Sequence, residues 1–461
     1  MKKRFAICGT IVLLLLLSAC GAPQTLDFSY APEGEELSSL MVETSQTHRA
    51  ELEHVPSAAD FADAISDDPA SAGLLSESEV ESLLRGHAAM ETVSKEQAQS
   101  DVSLLFRTLQ SAYGAYEYFG QEKFDAAEDA VTQWLSSQDD EIKVSALGEK
   151  LQESLAFMLA HDAHAMIYEP AAEEIEAQVR YEYFFADGFY FSKDVNGSYY
   201  MVNDGERWTL SSFSDEHVSV QPTLLQDGRI VYQPTLFALR KDAVQSSVTL
   251  KNSSGKAKIY RLDWTESQPL DVDLGTLDYR LIQEDGLTYV SLRSFVSGTY
   301  DNMLARYARE GAKARGSKAV IYDLRGNVGG SDSWPRKWIQ SFLGTQNSIE
   351  TSMLYAQKNS ALFAAENSES LLPEDEGTCF AREVHGTWYE NDIPIIVLVD
   401  DHCGSSGEGA VQLLKTLDNV LIVGSNTAGY QLCGNISTFT LPYTGIGVRF
   451  GSTLFLYGNG E

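Results

Sequence analysis

Two stretches of this 461-residue sequence place reactive or ligand-binding groups directly after an apolar run. In DDHCGSSGEG, which follows IPIIVLV, Ser405 and Ser406 precede a helix that begins near Glu408. The first amides of a helix have no intrahelical partner and carry the positive end of its dipole. A hydroxyl set there could attack a carbonyl while those amides stabilise the charge developing on oxygen. The same residues fit a quieter pattern, because Ser405 followed three positions later by Glu408 is a capping box, a common way to start a helix. In DLRGNVGG, which follows KAVIY, Gly326, Gly329 and Gly330 let the main chain turn and bring bare amides close to a ligand. A phosphate cradle is excluded, since no Lys followed by Ser or Thr closes the loop.

These stretches need a scaffold that ends strands side by side. From about Thr276 the sequence alternates strands and helices: LTYVSLRSF, YDNMLARYAREGAKARG, KAVIYDL, IPIIVLVDD, GEGAVQLLKTL and NVLIVGS. Apolar strands joined by crossover helices imply a largely parallel sheet, with chemistry gathered beyond the carboxyl ends of its strands. Upstream, apolar residues recur at helical spacing between Ser94 and Ala165, and aromatic and β-branched runs broken by turn signals fill Tyr181 to Trp264.

The order SF, DLRGNVGG, IPIIVLVDDHCGSSGE and VGSNTAGY resembles the tail-specific, or C-terminal processing, family of serine peptidases and their tricorn-like relatives. The likeness runs from about Leu287 to Glu461. It implies Ser405, three residues before the glutamate, as nucleophile. It also implies the amides of Ser406 and of Gly329 or Gly330 as the oxyanion hole. It departs at Tyr430, which stands where the tail-specific branch ends VGxxTxG with the lysine that deprotonates the serine. A tyrosine of ordinary pKa, about 10, is a poor base at neutral pH. Of the eight histidines, His402 lies too near Ser405 for an easy approach. His164 lies in FMLAHDAHAMI, whose DAH resembles the DGH motif that carries the histidine in tricorn-like members, although a histidine ending an amphipathic helix needs no catalytic reason. The relatives' acid is a glutamate in an EGxGxxPD-like run near the C-terminus; here LFLYGNGE offers Glu461.

The first twenty residues, MKKRFAICGTIVLLLLLSAC, are laid out as an export signal, and LSAC before Gly21 resembles a bacterial lipoprotein box that would lipidate Cys20. With 66 acidic against 34 basic side chains the chain repels phosphate backbones, so nucleic acid is not an expected partner. Beyond Cys8 and Cys20 remain Cys379, Cys403 and Cys433, an odd number with neither a disulfide framework nor a zinc pattern.

The expected architecture is therefore α/β. It comprises a signal over 1–20, an acidic tether over 21–91, a helical domain carrying His164 over 92–168 and a β-rich module over 169–275. A peptidase core over 276–461 follows, with the crotonase/ClpP-like spiral that the resemblance implies. The expected function is a lipid-anchored, extracytoplasmic serine peptidase acting on peptides or proteins, with no cofactor and no metal. The alternative is an inactive member of the same fold that binds peptides or ligands at the surface.

Overall fold

In the computed structural model the described residues are 37–61, 75–168 and 181–458, apart from 187, 204, 226–228, 240–245, 267–278, 299, 368–370 and 372–374. Cys20 and Glu461 lie outside them. The chain divides into two compact units, one containing Arg180–Gln268 and the other joining Met41–Val179 to Pro269–Glu461.

The larger unit opens with helices α1 (Leu37–Glu53) and α2 (Glu77–Leu84), strand β1 (Thr92–Ser94) and helix α3 (Lys95–Ala112). The short α4 (Tyr116–Phe119), α5 (Gln121–Ser137), β2 (Glu141–Lys143), α6 (Val144–Ser154), α7 (Ala156–Leu159) and β3 (Met166–Tyr168) complete this half. Two of these correct the expectation of a tether over 21–91. Ser76 and Glu79 start α2 with a reciprocal capping box, and Val80 and Leu83 are buried. Ser45 of α1 accepts the Asn419 amide, and Glu51 pairs with Lys415. An acidic, Ser- and Ala-rich composition hides these helices, because each offers only a narrow apolar face.

The smaller unit holds β4 (Tyr181–Ala186), β5 (Ser192–Lys193), β6 (Tyr199–Asn203), β7 (Glu206–Phe213) and β8 (Val218–Leu224). It continues with β9 (Ile230–Leu239), β10 (Ser246–Lys251), β11 (Ala257–Leu262) and β12 (Trp264–Glu266). Its sheets run β11-β10-β7-β6-β5 and β12-β4-β9-β8, around a core that includes Phe191, Trp208 and Val248.

The larger unit resumes with β13 (Tyr279–Glu284), β14 (Leu287–Leu292), α8 (Asp301–Ala314), β15 (Ala319–Asp323), α9 (Ser333–Leu343) and β16 (Met353–Lys358). Next come α10 (Ala361–Glu366), β17 (Cys379–Val384), β18 (Ile395–Val399), α11 (Ser406–Leu414), β19 (Val420–Gly424), β20 (Cys433–Thr440) and β21 (Gly447–Tyr457). One sheet runs β13-β14-β15-β18-β19, in which β14, β15, β18 and β19 are mutually parallel. A second runs β17-β16-β21-β20, with β3 added antiparallel to β21. No helix of the described residues is long and apolar enough to cross a membrane.

That last pairing decides the layout, and it corrects the separation of a helical domain over 92–168 from a core over 276–461. Leu105, Leu109, Phe124, Val131 and Leu151 of the helices share one buried core with Leu354, Phe439, Phe450 and Leu454 of the second sheet. Gly114 allows the close approach: a Cβ there would lie 2.7 Å from the carbonyl carbon of Ser452, and its amide donates to Gly451 O at 2.9 Å. The helices alone would expose their apolar faces, so they fold against the sheet rather than as a free domain.

Candidate active site

The site grows from the carboxyl ends of three parallel strands, and buried polar side chains tie those ends together. Asp400, just past β18, accepts the Gly326 amide at 2.8 Å and the His402 amide at 3.2 Å through Oδ1. Asn327, fully buried past β15, donates from Nδ2 to Leu292 O at the end of β14 at 2.8 Å. Its main-chain carbonyl accepts the Gly404 amide at 2.9 Å, and its Oδ1 accepts the Gly329 amide at 2.9 Å. Neither side chain stood out in the sequence, where the glycines beside Asn327 drew the reading.

Ser405 follows with φ 53° and ψ −122°, a conformation sparsely populated by residues with a Cβ. It is not the extended conformation of an ordinary N-cap. Its amide donates to Glu408 Oε2 at 2.9 Å. Gly329 lies directly against it: a Cβ at 329, where φ is +98°, would stand 2.7 Å from Ser405 Cβ and 2.9 Å from the Ser406 nitrogen. Because Asn327 takes the Gly329 amide, the choice between the two glycines narrows. Among the described residues the amides of Ser406 and Gly330 donate no hydrogen bond.

Glu408 does more than close a capping box. Its carboxylate, almost fully buried on α11, accepts the amides of Ser405, Gly429 and Tyr430 at 2.8–2.9 Å. Burial raises its pKa, while these donors favour the charged form and lower it. The turn holding Ser405 and the loop after β19 are thereby fixed on one side chain.

His164 arrives from the helical half, in the turn between α7 and β3. Its amide donates to Asp162 Oδ1 at 3.0 Å, and its Nδ1 lies 2.6 Å from Cys433 O on β20. A carbonyl only accepts, so Nδ1 carries the proton and Nε2 holds a lone pair. The residue is 3% exposed. Burial first and the Arg449 guanidinium second lower its pKa to about 4, so it is neutral at pH 7. Asp162, wholly buried, also accepts the Tyr113 hydroxyl at 2.9 Å. Burial raises the pKa of Asp162, and likewise those of the Tyr113 hydroxyl and the Cys433 thiol. In the sequence, Tyr113 read only as part of an amphipathic helix.

Tyr430 joins the two halves of the site. Its ring stacks edge-on against His164 with centroids 4.7 Å apart. Its Cδ2 lies where a Cβ at Gly404 would come within 2.8 Å. Among the described residues no hydrogen bond links Ser405 to His164. His402 turns instead to Asp401, with Nδ1 3.1 Å from Oδ1. Ligand atoms of Asp400, Asp401 and His402 lie within 4.8 Å of one another, but Asp400 Oδ1 is already engaged by two amides.

The sequence of residues 286–457 matches the family model Peptidase family S41. Comparison with curated proteins gives no match. Among solved structures, the chain is similar to mature CPAF at 13% identity and TM-score 0.41, covering 80% of this chain and 90% of that one. It is similar to a photosystem II D1 C-terminal processing protease at 14% identity and TM-score 0.35, covering 79% and 89%. It is also similar to a lipoprotein from Streptococcus agalactiae at 15% identity and TM-score 0.33, covering 80% and 88%. At these scores the three likenesses carry no argument about activity.

Proposed function

We propose that this chain, whose residues 286–457 match the model of peptidase family S41, is a serine peptidase acting through Ser405 and His164. The observation that carries this reading is the state of His164. It is buried and neutral, its Nδ1 proton is committed to the Cys433 carbonyl, and its Nε2 is left as an acceptor. A histidine prepared in this way is suited to general base work.

In the proposed mechanism Nε2 takes the Ser405 hydroxyl proton as Oγ attacks a peptide carbonyl. The amides of Ser406 and Gly330 stabilise the oxyanion. Collapse breaks the C–N bond, with the proton passing from His164 to the leaving amine, and leaves an acyl-enzyme on Ser405. Water, deprotonated by His164, then releases the acid and regenerates the hydroxyl. The Cys433 carbonyl orients the imidazole in the described residues, and Glu461 remains the proposed acidic partner. The core is proposed to adopt the crotonase/ClpP-like spiral. Cys20 is proposed to carry a lipid that anchors the chain on the outer side of the cytoplasmic membrane.

One observation favours a second reading, an inactive ligand-binding member of the family: Tyr430 touches both His164 and the position before Ser405, and no hydrogen bond joins the pair. Labelling with a fluorophosphonate probe separates the two. The peptidase reading expects labelling of the wild type at neutral pH and its loss in Ser405→Ala and His164→Ala. Labelling that persists in Ser405→Ala, or an inert wild type, overturns it.

A further inference from the structure

Tyr430 occupies the place where the tail-specific relatives carry a lysine base, and the mechanism above gives it no role. It is nevertheless the side chain best connected to both partners. Its ring meets the imidazole of His164 edge-on, at an interplanar angle of 66°. Its other edge lies over Gly404, where any Cβ would come within 2.8 Å of Cδ2 and 3.3 Å of Cε2. Its amide is held by Glu408 Oε2, the same oxygen that takes the Ser405 amide. One buried carboxylate thus sets the main chain of both the serine and the tyrosine, and the tyrosine ring spans from the serine turn to the histidine.

We propose that Tyr430 is a positioning residue for His164, its ring holding the imidazole in one orientation and keeping water from it. This deepens the peptidase reading and rests on it for its catalytic consequence. The sequence position that supplies a proton acceptor in the lysine branch supplies a wall here, and the acceptor comes from the helical half. An aromatic edge suits this task, since a ring packed edge-on against another fixes its plane. The phenol needs no ionisation to do so.

The groups around the imidazole are few. Asp162 holds the turn through the His164 amide, the Tyr113 hydroxyl and Cys433 thiol pack around Asp162, and Arg449 on β21 is the cation whose charge acts on the ring. Tyr430 is the aromatic ring in contact with the imidazole among the described residues. With Arg449 unchanged, removal of the tyrosine ring admits water and relieves the burial that holds His164 neutral.

The test is an NMR titration of His164 in wild type, Tyr430→Ala and Tyr430→Phe, run beside fluorophosphonate labelling rates at pH 7. In Tyr430→Ala the pKa is expected to rise from about 4 towards the ordinary 6.5, with labelling slowed at least ~10-fold. Tyr430→Phe, which keeps the ring, is expected to restore both. An unmoved titration in Tyr430→Ala overturns the proposal. So does a Tyr430→Phe variant as impaired as Tyr430→Ala, because the hydroxyl rather than the ring would then be acting; this arm preserves the packing and stands even where Tyr430→Ala does not fold. The titration reads the Tyr430–His164 contact without turnover, so a Ser405→Ala protein that still labels overturns the peptidase reading and leaves the titration result intact.

Discussion

The chain begins three helices with a serine and an amide or carboxylate side chain three residues on, and the three do not end alike. At α2 and α3 the caps Ser76 and Ser94 are extended, with φ near −70° and ψ near 155°. Their side-chain oxygens accept the amides of Glu79 and Gln97 at 3.3 Å, and those side chains bond back to the cap amides. At α11 the return bond from the Ser405 amide to Glu408 is kept, but Ser405 has a positive φ and lies against Gly329. The local motif is shared, and the difference is imposed from outside the helix by Asn327, Gly329 and Asp400. A cap becomes a candidate nucleophile when neighbouring strand ends force it out of the capping conformation.

The largest expected effect strikes what Ser76 and Ser94 lack. Gly329→Ala puts a methyl 2.7 Å from Ser405 Cβ at a φ of +98°. It is expected to abolish probe labelling and to destabilise the fold by about 3 kcal/mol. Both effects are read by labelling and urea denaturation; a stable, labelling variant breaks the contrast. Next, Glu408→Gln replaces a carboxylate that accepts three amides with a group having a single acceptor oxygen. A loss of about 2 kcal/mol is expected, against less than about 0.5 kcal/mol for Glu79→Gln, whose side chain is about one-third exposed. Equal losses in chemical denaturation would make the two boxes equivalent.

Smaller, and opposite in sign, are two substitutions at the caps themselves. Ser94→Ala is expected to cost about 1 kcal/mol as a lost cap. Ser405→Gly is expected to gain about 1 kcal/mol by relieving the positive φ, while removing the labelled hydroxyl. A Ser405→Gly variant less stable than wild type would return Ser405 to the class of ordinary caps.

The gentlest test is by pH. His164 and His48 have folded pKa values of about 4 and about 3, both lowered first by burial. Between these values and the unfolded 6.5 the unfolded chain binds more protons, so stability is fully present above pH 6.5 and declines as pH falls through this window. The double variant His48→Gln, His164→Gln is expected to flatten the decline in thermal melts at pH 4–7. An unchanged slope would mean that neither imidazole is held neutral by burial.

Much of the fold was legible because it rests on local patterns. The alternation of apolar strands and helices after Thr276 reports the parallel sheet β14-β15-β18-β19, and the aromatic, turn-broken run reports the strands β4 to β12. The helices α1 and α2 were hidden, because each buries a narrow stripe against residues far away, such as Asn419 and Lys415 for α1. In the candidate site, Ser405, His164 and the Gly329–Gly330 pair could be named from motifs. The roles of Asn327 and Asp162 could not, although both lie inside those motifs, because a buried polar residue matters through partners in other elements.

The sequence by itself determined where the apolar strands end, that Ser405 begins a helix, and that Tyr430 is not a lysine; these follow from residue identity and short-range period. Only the tertiary structure decided that Gly329 spends its amide on Asn327, that the His164 proton sits on Nδ1, and that Tyr430 bridges the histidine to the serine turn. The last two depend on which groups meet across elements far apart in the chain, His164 on Cys433 and Tyr430, and the first on how the strand ends hold the Asn327 side chain; no spacing along the chain encodes that.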